Sequence, residues 1–153
     1  MAPRTLILGV GSSILADDAV GIVVARRLGE RLGTRDDVDV AVNEEAGFSL
    51  LEDSLGYDRL VVIDSVLAGG EPGTVTRLGL SDLGRTIHAN SPHGLNLATV
   101  MEFGRRQGLD VPKEVVIYAI AIADALAFGE ELTPALAARV DGIVAAIAEE
   151  VFG

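Results

Sequence analysis

Apolar and polar positions alternate along this chain with two different periods. Thr5-Leu-Ile-Leu8 is an apolar run without polar alternation, as is Leu60-Val-Val-Ile63, and the stretch from Glu114 to Ile122 becomes fully apolar after its first residue. Such runs mark strands covered on both faces, and they predict strands at about 5–10, 59–64 and 114–122. Asp37-Val-Asp-Val-Ala-Val42 instead alternates, as an outer strand at about 38–43 would. Between these lie helical periods. Val20, Val23, Val24, Leu28 and Leu32 form one stripe of a helix over 18–32, ended by Gly33. A short helix follows at 48–55, another at 93–107 with Leu95, Leu97, Val100, Met101 and Phe103, and a last one from Pro134 with Leu136, Val140, Ile143, Val144 and Ile147 buried. Thr133-Pro134 supplies the start of that last helix, with Thr as N-cap and Pro at its first position.

After the turn Ala68-Gly-Gly-Glu-Pro-Gly73, Thr74-Val-Thr-Arg-Leu78 is short enough to be an added edge strand, for which an antiparallel direction is open. Residues 81–92 read as irregular. Strands alternating with helices predict an α/β fold: a three-layer α/β/α arrangement around a mostly parallel, twisted sheet of about five strands. Residues 1–153 contain no repeat, low-complexity tract or linker that would divide them, and read as one domain.

Composition narrows the chemistry. Hydrophobic residues make up 49% of the chain and aromatics only 4%, which suits a parallel sheet between helices. With 12 basic and 23 acidic residues the formal charge is −11, which opposes binding to nucleic acid or an anionic membrane. No cysteine is present, so thiolate catalysis and Cys-ligated metal sites are excluded. The first residues lack the basic and apolar regions of a signal peptide, and no apolar stretch reaches the roughly 18 residues of a membrane span; a cytoplasmic location is the expectation.

In an open parallel sheet, ligands bind in the crevice beyond the carboxyl ends of the strands. Gly9-Val-Gly11 opens that crevice here, and its first reading is a phosphate loop. Three features oppose it: Ile14 stands where a third small residue belongs, no Lys follows in P-loop spacing, and Asp17 and Asp18 would repel phosphate. Those two acids have a bland alternative as helix caps. Asp64 ends the third strand, where an Asx turn would also explain it, and His93 stands at the mouth of a helix, where a solvated or capping role is the alternative. Two carboxylates and one imidazole form a hard-to-borderline ligand set suited to Zn, Ni, Fe or Mn, with positions left for water or substrate.

Taken in order, Leu8-Gly-Val-Gly11, Asp17-Asp-Ala-Val-Gly21, Val61-Val-Ile-Asp64, Ser91-Pro-His93 with Leu95 and Leu97, and Leu132-Thr-Pro134 resemble the endopeptidases that mature nickel–iron hydrogenases. The resemblance covers nearly the whole chain. It implies a cytoplasmic endopeptidase that removes a C-terminal extension from the hydrogenase large-subunit precursor after nickel insertion. It also implies that Asp18, Asp64 and His93 form both the catalytic and the metal-binding site. The implied metal is nickel delivered by the precursor, although another divalent ion would fit the site in vitro. Nickel could then polarise the scissile carbonyl, or be recognised while a carboxylate such as Asp64 acts as general base.

Two departures from the family pattern stand out. The first acid of such enzymes is often Glu, whereas Asp18 is one methylene shorter, which keeps Asp17 open as a substitute. An Asp-Gly-Gly-Thr stretch common after the second strand is replaced by Asn43-Glu44-Glu45-Ala46-Gly47. Glu44 or Glu45 is therefore a candidate extra acid, against the alternative of a solvated charge pair, and the change points to a different precursor partner. His88 is a candidate for a supporting position near the site. Two rival classes remain at this stage: a nickel-binding assembly factor that cleaves nothing, and a nucleotide-binding module.

Overall fold

A computed structural model describes residues 3–67, 70–81 and 97–153. Five strands, β1 (Thr5–Val10), β2 (Val38–Asn43), β3 (Arg59–Leu67), β4 (Val75–Leu78) and β5 (Glu114–Ile122), form one sheet in the order β2-β1-β3-β5-β4. The β1–β2, β1–β3 and β3–β5 ladders are parallel, and β4 runs antiparallel to β5 at the edge. The helices are α1 (Val20–Leu32), α2 (Phe48–Ser54), α3 (Leu97–Arg106), α4 (Pro134–Ala137) and α5 (Val140–Phe152).

Side-chain alternation along the strands builds two cores. Leu6, Leu8, Leu60, Val62, Ile117 and Ala119 pack under α2 and α3, while Ile7, Val61, Ile63, Val116, Tyr118 and Ile120 pack under α1 and α5. Each central strand is buried on both faces, the physical origin of its unbroken apolar run. β2 has a neighbour on one side only, and its residues are exposed or half-buried as far as the buried Asn43, in keeping with an outer strand.

Three expected boundaries shift. Ala16–Ala19 forms a turn of 3-10 helix before α1, so Asp17 and Asp18 precede the α-helix itself. The expected last helix is broken after Ala137, and α5 begins at Val140. The third strand continues past Asp64, because Ser65, Val66 and Leu67 pair with Ile120, Ala121 and Ile122 of β5. Its ladder with β1 stops earlier, at Gly9 and Ile63. Asp64 is thus the first residue of β3 beyond its pairing with β1, and the crevice opens there.

Candidate functional site

The loop leaving β1 crosses this opening at close quarters. A Cβ at Gly11 would lie 2.4 Å from the Asp18 carbonyl oxygen, and one at Gly21 would lie 2.3 Å from the Ile63 carbonyl oxygen and 2.7 Å from that of Val10. Only glycine lets the loop fold back on itself and lets the first turn of α1 rest directly on β1 and β3. The glycines of this motif serve backbone-to-backbone packing, which explains them without a phosphate ligand.

That packing carries Asp18 to β3. Asp18 is 1% exposed, and its Oδ1 accepts a hydrogen bond of 2.7 Å from the Ser65 hydroxyl, itself fully buried. The Ser65 backbone N–H donates to Asp64 Oδ1 at 2.8 Å, and Asp64 is also fully buried. One serine therefore touches both expected acids. Asp64 belongs to the strand positions that face α2 and α3, whereas Ser65 faces the α1 side, so the two carboxylates approach the opening from the two faces of the sheet.

Asp17 has a different task. Its Oδ1 accepts the Thr133 backbone N–H at 2.7 Å and its Oδ2 accepts the Thr133 hydroxyl at 2.9 Å. The expected N-cap bond of Thr133 is absent because its hydroxyl is turned to Asp17, and neither Asp17 nor Asp18 makes a side-chain capping bond to its own helix. Backbone bonds reinforce the link: Ala16 N–H donates to Gly129 C=O at 2.9 Å, and Gly129 N–H donates to Ile14 C=O at 3.0 Å. The loop bearing Asp18 is clamped to the segment before α4. Beside this clamp Ile14, Leu126 and Phe128 are exposed, the last at 83%.

The other flank is the turn after β2. Asn43, buried, accepts the N–H groups of Glu45 and Ala46 on its Oδ1, and its Nδ2 donates to Ser49 Oγ and Asp53 Oδ2. This frame lets Ala46 adopt a positive φ of 60° before Gly47. Glu44 reaches across to β1's loop, where its Oε1 accepts the Ser13 N–H at 2.7 Å. That bond holds the Glu44 carboxyl below its ordinary pKa. Glu45, Glu52 and Asp53 line a concave surface with Asn43 and Glu44, so the edge is acidic on this side.

Of the expected site residues, then, Asp18 and Asp64 come together through Ser65, and Asp17 is engaged elsewhere. His93, with the Ser91-Pro92 step, and His88 lie outside the described residues. Among the described residues no group of three His, Asp or Glu side chains is arranged to hold a metal. Sequence reasoning missed Ser65, and the available signal was a lone hydroxyl directly after Asp64 in an otherwise apolar strand.

Comparison with known proteins gives this arrangement a family. Residues 22–150 match the family model described as "HycI: Hydrogenase maturation protease". The chain is 31% identical to the hydrogenase 2 maturation protease of Escherichia coli over 141 residues, covering 90% of this chain and 84% of the relative. In structure it superposes on the hydrogenase maturating endopeptidase HybD from E. coli with a TM-score of 0.78 and 27% identity, over 97% of this chain and 91% of that one. The hydrogenase maturation protease HycI from Thermococcus kodakarensis gives 0.72 and 28%, over 99% and 94%. The chain belongs to the hydrogenase maturation protease family and is an endopeptidase.

Proposed function

We propose that this endopeptidase removes the C-terminal extension of a nickel–iron hydrogenase large-subunit precursor after nickel has been inserted. In this reading Asp18, Asp64 and His93 recognise the nickel carried by the precursor. The observation that carries the reading is the pair of buried carboxylates, Asp18 and Asp64, brought to one opening of the sheet and joined through Ser65. Carboxylate oxygens and an imidazole suit a borderline divalent ion, and three protein ligands leave positions for the precursor's own groups. Bound nickel would polarise the scissile carbonyl. The work of the chain is to orient the loaded C-terminus and to move the proton: Asp64 takes it from the water that adds to the scissile carbonyl and returns it to the amine as the peptide C–N bond breaks.

The acidic turn after β2 and the apolar lip of Ile14, Leu126 and Phe128 flank the opening and offer the precursor two unlike surfaces. A cytoplasmic location fits this role, and among the described residues no helix is long and apolar enough to cross a membrane.

The test is incubation with nickel-loaded and nickel-free precursor, followed by intact mass of the precursor's C-terminus. Loss of a discrete peptide from the loaded precursor alone, abolished by Asp18→Asn, Asp64→Asn and His93→Ala, supports the reading. Nickel binding with no change of mass would replace it with a nickel-binding assembly role.

A further inference from the structure

We infer that Ser65 is the positioning residue for Asp18, and that the short carboxylate of Asp18 and the hydroxyl of Ser65 act as one unit. This rests on the reading above, in which Asp18 belongs to the site. Ser65 occupies a position on β3 whose neighbours on the same face, Val61 and Ile63, pack in the apolar core under α1 and α5. A hydroxyl buried there is costly unless it is bonded. Its donation goes to Asp18 Oδ1 at 2.7 Å, 47 residues away in sequence.

The consequence is geometric. A side chain on a loop takes its position from the loop, but a carboxylate bonded to a central strand takes its position from the sheet. Through its backbone N–H, Ser65 also holds Asp64 Oδ1 at 2.8 Å, so the two acids share one reference point. Glutamate at position 18 would carry its carboxylate one methylene further, toward the volume that the Ser65 hydroxyl fills. Asp with Ser, or Glu with Ala, would then be the two self-consistent pairs. Asp with Ala leaves a gap and removes the bond that ties the carboxylate to β3, and Glu with Ser overfills the site.

The experiment is a double-variant cycle of wild type, Ser65→Ala, Asp18→Glu and the double variant, with Asp18→Asn as control. Cleavage of nickel-loaded precursor is read as kcat and KM, and thermal midpoints are read on the protein alone. We expect each single variant to lose about 10- to 100-fold in kcat/KM, mainly in kcat, as removal of an orienting partner does. We expect the double variant to recover to within about threefold of wild type, and the Tm losses of the two singles, each about 3 °C, to be less than additive. A double variant no better than the worse single, or Ser65→Ala with unchanged kcat, overturns the inference. A variant that melts early without recovery in the double counts as the first of these results. If Asp18→Asn keeps full activity, the assignment of Asp18 to the site fails whatever Ser65 does.

Discussion

The two edges of the sheet handle carboxylates in opposite ways. At the amino edge they meet cations: Arg4 pairs with Asp39 at 3.2 Å and Arg35 with Asp37 at 3.0 Å. At the carboxyl edge the described partners are neutral donors: the Ser65 hydroxyl on Asp18, the Thr133 hydroxyl and N–H on Asp17, and the Ser13 N–H on Glu44. A cation fixes a carboxylate and cancels its charge. A neutral donor fixes it without itself carrying a compensating charge. Among the described contacts, hydroxyl and backbone donors hold the carboxylates at the sheet's opening, while guanidinium groups take part in holding Asp37 and Asp39 at the opposite edge.

The largest effect expected from breaking this contrast is on activity. Asp64→Asn, which keeps the shape of the side chain and removes its basicity, should lower kcat by about 10²- to 10⁴-fold with little change in Tm, by the precursor mass assay and a thermal scan. An amino-edge counterpart, Asp37→Asn, should leave kcat unchanged.

Next come the contacts that place the loop. Gly21→Ala forces a methyl against the Ile63 and Val10 carbonyls and should destabilise by about 1–3 kcal/mol in urea unfolding, with activity falling as α1 lifts from β3. Asp17→Ala leaves the buried end of the Thr133 clamp without its acceptor and should cost about 1–3 kcal/mol, while Thr133→Val should cost somewhat less. The two losses should not add, because they remove the same contact. By contrast, Arg4→Ala at the exposed amino-edge pair should shift stability by under about 1 kcal/mol.

The smallest effect separates the two edges by salt. Asp37 titrates below its ordinary value chiefly because of the hydrogen bond from the Arg35 guanidinium, and Glu44 does so chiefly because of the Ser13 backbone N–H. Each group's folded pKa lies below its unfolded one, so its contribution to stability is present above the ordinary carboxylate range. It is lost as pH falls through the folded value. Carboxyl NMR titrations in low salt and in about 1 M salt should move Asp37 back toward its ordinary value and leave Glu44 nearly in place, since ionic strength screens a charge pair but not a backbone hydrogen bond. Equal salt shifts would mean that the two edges do not differ in kind.

Much of this was legible in the residues. The buried strands declared themselves through unbroken apolar runs because a parallel strand between helix layers has no wet face, and β2 declared its edge position through alternation. The glycines before and within α1 were ambiguous on their own, since a glycine needed for close packing and one needed for a phosphate look alike in a linear string; it was Ile14, the missing Lys and the two adjacent acids that argued against phosphate. Asp17 and Asp18 posed the same difficulty. Adjacent and chemically identical, they point to partners 116 and 47 residues away, and no local rule separates them.

The sequence by itself determined the layers, the mostly parallel sheet and the family, because those depend on period, order and short motifs, but it left the direction of β4 open. Only the tertiary structure decided which aspartate clamps Thr133 and which bonds to Ser65 of β3. That choice depends on where β3 loses β1 as a neighbour, and on how closely α1 can rest on the two strands, and both are properties of backbones meeting in space.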